Sequence, residues 1–82
     1  MDDPKVDRDG DDEPLRLRRL QMMMQMVQAV IAQDDVTLEE AADLAAGARR
    51  AALALFPGKD LAYDLIYRPR LERLIAERFG PL

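Results

Sequence analysis

Apolar and polar residues along this chain recur with helical rather than strand periodicity. Between residues 15 and 33, Leu17, Leu20, Met23, Met24, Val27, Val30 and Ile31 fall in one sector at 100° per residue. That sector predicts a first helix over 15–33. Pro14 suits its first turn, where a missing N–H costs nothing. Gln21, Gln25 and Gln28 fall on the opposite side, and Met22 and Met26 lie on a flank beside Ala29. Asp34 and Asp35 break the run.

A second helix is predicted over 37–56. Thr37-x-x-Glu40 has the form of a capping box, in which the Thr hydroxyl and the Glu carboxylate each take one free backbone N–H. Leu38, Ala41, Ala45, Ala48, Ala52 and Leu55 then step by three and four residues. Small side chains on that face let a neighbouring helix approach to about 8 Å. Phe56-Pro57-Gly58 ends the segment, because Pro disfavours helical geometry before it and Gly suits the turn. A short third helix is predicted over 60–67, capped by Asp60. Only Asp64 inside it is charged, which suits a buried wedge between longer helices. Arg68-Pro69 forces a new start. A fourth helix over 69–79 carries Leu71, Leu74, Ile75 and Phe79 on one face, and Gly80-Pro81 stops it.

The expected fold is therefore all-α, a small helical bundle. Two longer helices form an antiparallel hairpin, closed by the two shorter ones. Residues 14–82 make one domain behind a disordered acidic tail, 1–13. A body of about 68 residues buries only about 60% of its chain surface, so the core is thin.

Charge divides along the same boundary. The net charge of −4 over 82 residues is not spread evenly. Residues 2–13 hold seven acids and two bases, net −5, whereas residues 14–82 hold nine acids and ten bases, net +1. A near-neutral body attracts phosphates only weakly. Within the tail, Asp7-x-Asp9-Gly10-Asp11-x-Glu13 approaches a calcium loop. Aligning Gly10 with the loop's glycine puts Lys5 and Arg16 at ligand positions, so a solvated acidic tail is the better reading.

The chain contains neither Cys nor His. Thiol chemistry, disulfides and the commonest metal ligand and general base are thereby excluded. No paired carboxylates, phosphate loop, metal cluster or cofactor motif stands out, so a non-enzymatic protein without cofactor, metal or small-molecule substrate is expected. No apolar run is long enough for a bilayer and no signal-peptide pattern opens the chain, so a soluble cytoplasmic protein is expected.

Two groups of residues are candidates for function. The four methionines within 22–26 either fill gaps in a small core or form an adaptable contact surface. The second reading assigns partner binding to Met22, Met26 and Ala29, with Arg18 and Arg19 at the rim, and expects a protein partner or a second copy. The other group is Arg49 and Arg50. Arg49 falls inside the apolar sector of its helix and needs an acid, which Asp60, Asp64 or Glu72 must supply. Otherwise Arg49 and Arg50 mark a site for an acidic partner or phosphate.

One resemblance bears on that second group. Val36-Thr37-Leu38-Glu39-Glu40-x-Ala42, then Ala46-Gly47, then Phe56-Pro57-Gly58-Lys59-Asp60 resembles the helix-turn-helix segment of TetR-type repressors. It covers about a third of the chain. The resemblance implies a turn at Gly47 and a DNA-binding regulator, with Arg49 and Arg50 as the DNA-contacting candidates. The unbroken apolar steps through Gly47 predict instead one continuous helix, with the glycine admitting a close helix crossing. The principal expectation is a small interaction or regulatory module acting through the Met-rich helix.

Overall fold

The computed structural model describes residues 8–80, with side chains from residue 13 onward. It contains four helices: α1 (Arg8–Gln33), α2 (Leu38–Leu55), α3 (Asp60–Ile66) and α4 (Arg68–Phe79). No strand occurs among the described residues. The all-α bundle expected from the periodicity is the observed fold.

Helix α1 is longer than its apolar pattern suggests. It starts at Arg8, not near residue 15, and carries Pro14 inside it. Residues 8–13 of the expected tail are thus helical, while residues 1–7 of that tail fall outside the described residues. Pro14 has no N–H for the carbonyl of Gly10, so it removes one ladder bond without ending the helix. The acids at 9, 11, 12 and 13 suit the positive end of the helix dipole, which favours an earlier start than the proline implies.

The cap of α2 has the expected form. Thr37 Oγ1 accepts from the Glu40 N–H at 3.0 Å, and Glu40 Oε1 accepts from the Thr37 N–H at 2.9 Å. From there α2 runs without interruption through Gly47 to Leu55. The turn implied by the repressor resemblance is therefore absent, because the three- and four-residue steps on both sides of Gly47 belong to one apolar face. Nor does Gly47 mark a tight crossing. A Cβ placed there would meet only Arg50 Nη2, at an ordinary 3.6 Å. Gly47→Ala should therefore stabilise the domain by about 0.5–1 kcal/mol, since it only removes backbone freedom inside a helix. A denaturant midpoint that rises without a change in slope would verify this. At the far end of α2, Gly58 has φ +81°, a left-handed conformation that turns the chain toward α3.

α3 and α4 are separated by Tyr67 alone. Pro69 cannot donate to the Leu65 carbonyl, so the ladder breaks at this point. The core is made by Leu20, Met24, Val27 and Ile31 from α1, Ala41, Ala48 and Ala52 from α2, Tyr63 from α3, and Leu71 and Ile75 from α4. Leu74 and Phe79 complete the apolar face of α4 and are half-buried. Arg78 Nη1 donates to the Ile31 carbonyl at 2.8 Å, tying the last turn of α4 to the end of α1.

Three expected core assignments do not hold. Leu38, first of the apolar steps of α2 and the first residue of that helix, is 40% exposed. Leu17 shares the sector of Leu20 and Met24 but is 44% exposed. Leu17 lies on the side of α1 that faces α3, and α3 does not reach α1, so Leu17 borders an open groove and not a packed interior. Helix α3 is not a buried wedge. Leu61 and Leu65 are 72% and 69% exposed, and Tyr63 is its one buried residue. Its seven residues pack on α4 and α2, and among the described residues no Cα of α3 lies within 8 Å of α1, so its outer side stays bare.

Candidate interaction surface

The methionines of 22–26 divide between two environments. Met24 is buried and Met23 half-buried against the core. Met22 and Met26 are 60% and 67% exposed. The helical step of 100° accounts for the division, since it turns residues 22 and 26 almost directly away from residues 20, 24, 27 and 31. Arg18 and Ala29 are exposed on this same outward side. The structure thus places Arg18, Met22, Met26 and Ala29 on the side of α1 turned from the bundle, while Arg19, with Leu15, leans toward the C-terminal end of α2 and borders Ala54, Leu55 and Pro57. Between Leu20 and Gln33 this helix carries no charge, so the middle of the face has no ion to desolvate.

A second apolar surface was not legible from periodicity. The uncovered end of α1 and the bare flank of α3 leave a groove of about 370 Å³ between them. Leu17, Leu20, Leu53, Phe56, Ile66 and Tyr67 are among its walls, with Glu13 and Lys59 also lining it. The guanidinium of Arg16 lies 5.7 Å from the centroid of the Phe56 ring, a cation–π contact that anchors the overhanging helix to the end of α2. The signal for the groove was the apolar character of α3 on nearly every side. Apolarity alone does not distinguish a buried helix from one that faces an empty groove.

Arg49 and Arg50 do not form one site. Arg49 makes a bidentate pair with Asp64, Nε to Oδ1 at 2.9 Å and Nη2 to Oδ2 at 3.1 Å. Asp60 adds a carboxylate oxygen 3.7 Å from Nη2. Glu72, the third acid available to Arg49, is instead bonded to Arg68 Nε at 3.1 Å, and Arg68 also approaches Asp64 at 3.9 Å. The five side chains form an alternating charge network that links α2 to α3 and α4. Hydrogen bonding from Arg49 holds the Asp64 carboxyl below the usual carboxylate range, and the same bond raises the Arg49 guanidinium. A guanidinium already paired in this way offers little to a phosphate. Arg50, one residue on, is exposed and folds back along its own helix toward Gly47.

Tyr63 sits behind the network. Its ring lies 5.6 Å from that of Tyr67, centroid to centroid. The hydroxyl is buried without a hydrogen-bond partner among the described residues, and burial pushes its pKa up, so it stays a neutral phenol. Among the described residues, no group of three or more acidic or metal-ligating side chains is placed to hold a metal ion. Nor is any described helix long and apolar enough to cross a membrane. No family model matches the chain, and no characterised protein or solved structure matches it either.

Proposed function

We propose that this protein is a small, non-enzymatic interaction module that binds a protein partner or itself through the outward face of α1. The observation that carries the reading is the exposure of Met22 and Met26 on a helix face that the bundle leaves uncovered. Methionine side chains are flexible and polarizable, so one surface can repack against different apolar partners. Covering them would recover roughly 1.5–3 kcal/mol for each side chain fully removed from water. Arg18 and Arg19 stand at the N-terminal rim of the face, where charged groups guide approach and register more than they add affinity.

Light scattering across a concentration series, combined with affinity capture from the native host, tests this. Met22→Glu and Met26→Glu should each abolish the association, while Ala32→Glu, on another side of α1, should leave it intact. A protein that stays monomeric, and that captures no partner sensitive to these two substitutions, would not be an α1-directed interaction module.

A further inference from the structure

On the outward side of α1, Leu15, Arg19, Met22, Met26, Ala29 and Gln33 follow one another at spacings of 4, 3, 4, 3 and 4 residues, and all six are exposed. That is the 3.5-residue period of a coiled-coil seam. It runs on the same helix as the core face but turned from it, since Met24 and Ile31, which lie between seam positions, are buried; its first two positions, Leu15 and Arg19, border the end of α2. A straight helix drifts only about 20° per heptad from such a seam, so a stretch of under three heptads remains on one side. Polar residues at two seam positions, Arg19 and Gln33, are the kind that fix register.

We propose that the partner of this seam is a second copy of the chain, packed antiparallel along α1 about a two-fold axis level with Met24. This deepens the interaction reading and rests on it. The register is self-consistent: setting Met22 against Met26 of a second copy also sets Leu15 against Gln33 and Arg19 against Ala29. The same surface serves both chains, as a two-fold interface requires. Residues 8–13 then run past the end of the second copy's α1, beyond the paired stretch.

The charges that flank the seam distinguish the two orientations. Arg18 and Arg19 lie at one end of the seam, Asp34 and Asp35 just past the other, and all four are exposed. In a parallel pair each group would face its own kind. In the antiparallel pair, Arg18 falls about 6 Å along the axis from the level of the second copy's Asp34, within reach of an arginine side chain. The uncharged stretch between Leu20 and Gln33 fills the middle of the contact in both chains.

An exchanged chain carrying Arg18→Asp, Arg19→Asp, Asp34→Arg and Asp35→Arg tests orientation while keeping the apolar seam residues Leu15, Met22, Met26 and Ala29. In a mixture with differently labelled wild type, native mass spectrometry should find each chain pairing with itself, and mixed dimers at least tenfold below the statistical level. Preference of the exchanged chain for wild type, or free mixing, would overturn the antiparallel pairing. The chain has no cysteine, so a second measurement needs no background correction. On oxidation, a mixture of Met22→Cys and Met26→Cys chains should give the mixed disulfide in at least tenfold excess over either same-position product, whereas dominant same-position products would refute it. A monomeric wild type would also refute self-pairing. In that case a foreign partner lost on Met26→Glu would preserve the broader interaction reading, and the lack of one would remove both.

Discussion

Ile31→Ala is expected to destabilise the domain by about 2–5 kcal/mol, the range for emptying a fully packed aliphatic site. Ile31 is completely inaccessible to solvent and sits in the last turns of α1, where α1, α2 and α4 converge. Its surroundings are not free to collapse. The backbone carbonyl of Ile31 holds Arg78 at 2.8 Å, and that bond survives the substitution, keeping α4 at its present distance while the cavity opens. In a domain of this size the loss corresponds to a fall in melting temperature of roughly 8–40 °C. Ile31→Val removes a single methylene and should cost about 0.5–1.5 kcal/mol. The pair of variants, compared by thermal and denaturant unfolding at one protein concentration, separates cavity formation from loss of helix propensity. Alanine has the higher propensity, so a stability change driven by propensity would run the other way. A loss below about 1 kcal/mol for Ile31→Ala would show that this end of the bundle is loosely packed.

Ala48→Leu is also expected to destabilise the domain, and it enlarges a side chain instead of removing one. Ala41, Ala48 and Ala52 are buried at spacings of seven and four, so the centre of the α2 contact is made by methyl groups, with the larger Leu44, Leu53 and Leu55 half-buried around it. A leucine at 48 must push α1 or α4 away or adopt a poor rotamer, at a cost of typically 1–3 kcal/mol. The same substitution three residues on, Ala51→Leu, lies on the exposed side of α2 and should stay within about 0.5 kcal/mol of wild type. Both exchanges alter helix propensity equally, so the difference between their unfolding midpoints reports packing alone. Equal effects at the two positions would contradict the close approach assigned to the alanine face.

What could be read from the sequence were the features governed by local chemistry. The reciprocal bonds of Thr37 and Glu40, the stop at Phe56-Pro57-Gly58 and the break at Pro69 each depend on residues within a few positions of one another. The core faces of α1 and α4 follow from the 3.6-residue repeat, and the need of Arg49 for an acid follows from its place in the apolar sector of α2. Features governed by relative length and by the arrangement of helices could not be read this way. The sector that holds Leu17 is the core sector, but no helix reaches far enough to cover it. The apolar surface of α3 gives the same pattern whether the helix is enclosed or laid on the edge of a bundle. Pro14 misled because a proline nearly two turns inside a helix looks, in sequence, like a proline at its start. Among the candidate residues, the outward placement of Met22 and Met26 was legible as a flank of the wheel. What helical angles could not decide was whether another element of the same chain would cover that flank.

The exposed apolar residues of α1 sit on a helix whose backbone donors and acceptors are already engaged with one another. Contact through the seam would therefore involve side chains only, with no unpaired strand edge to recruit one chain after another. An antiparallel pair also consumes the same patch on both members, leaving none for a third. Association of that kind saturates as a closed pair and does not propagate into a filament.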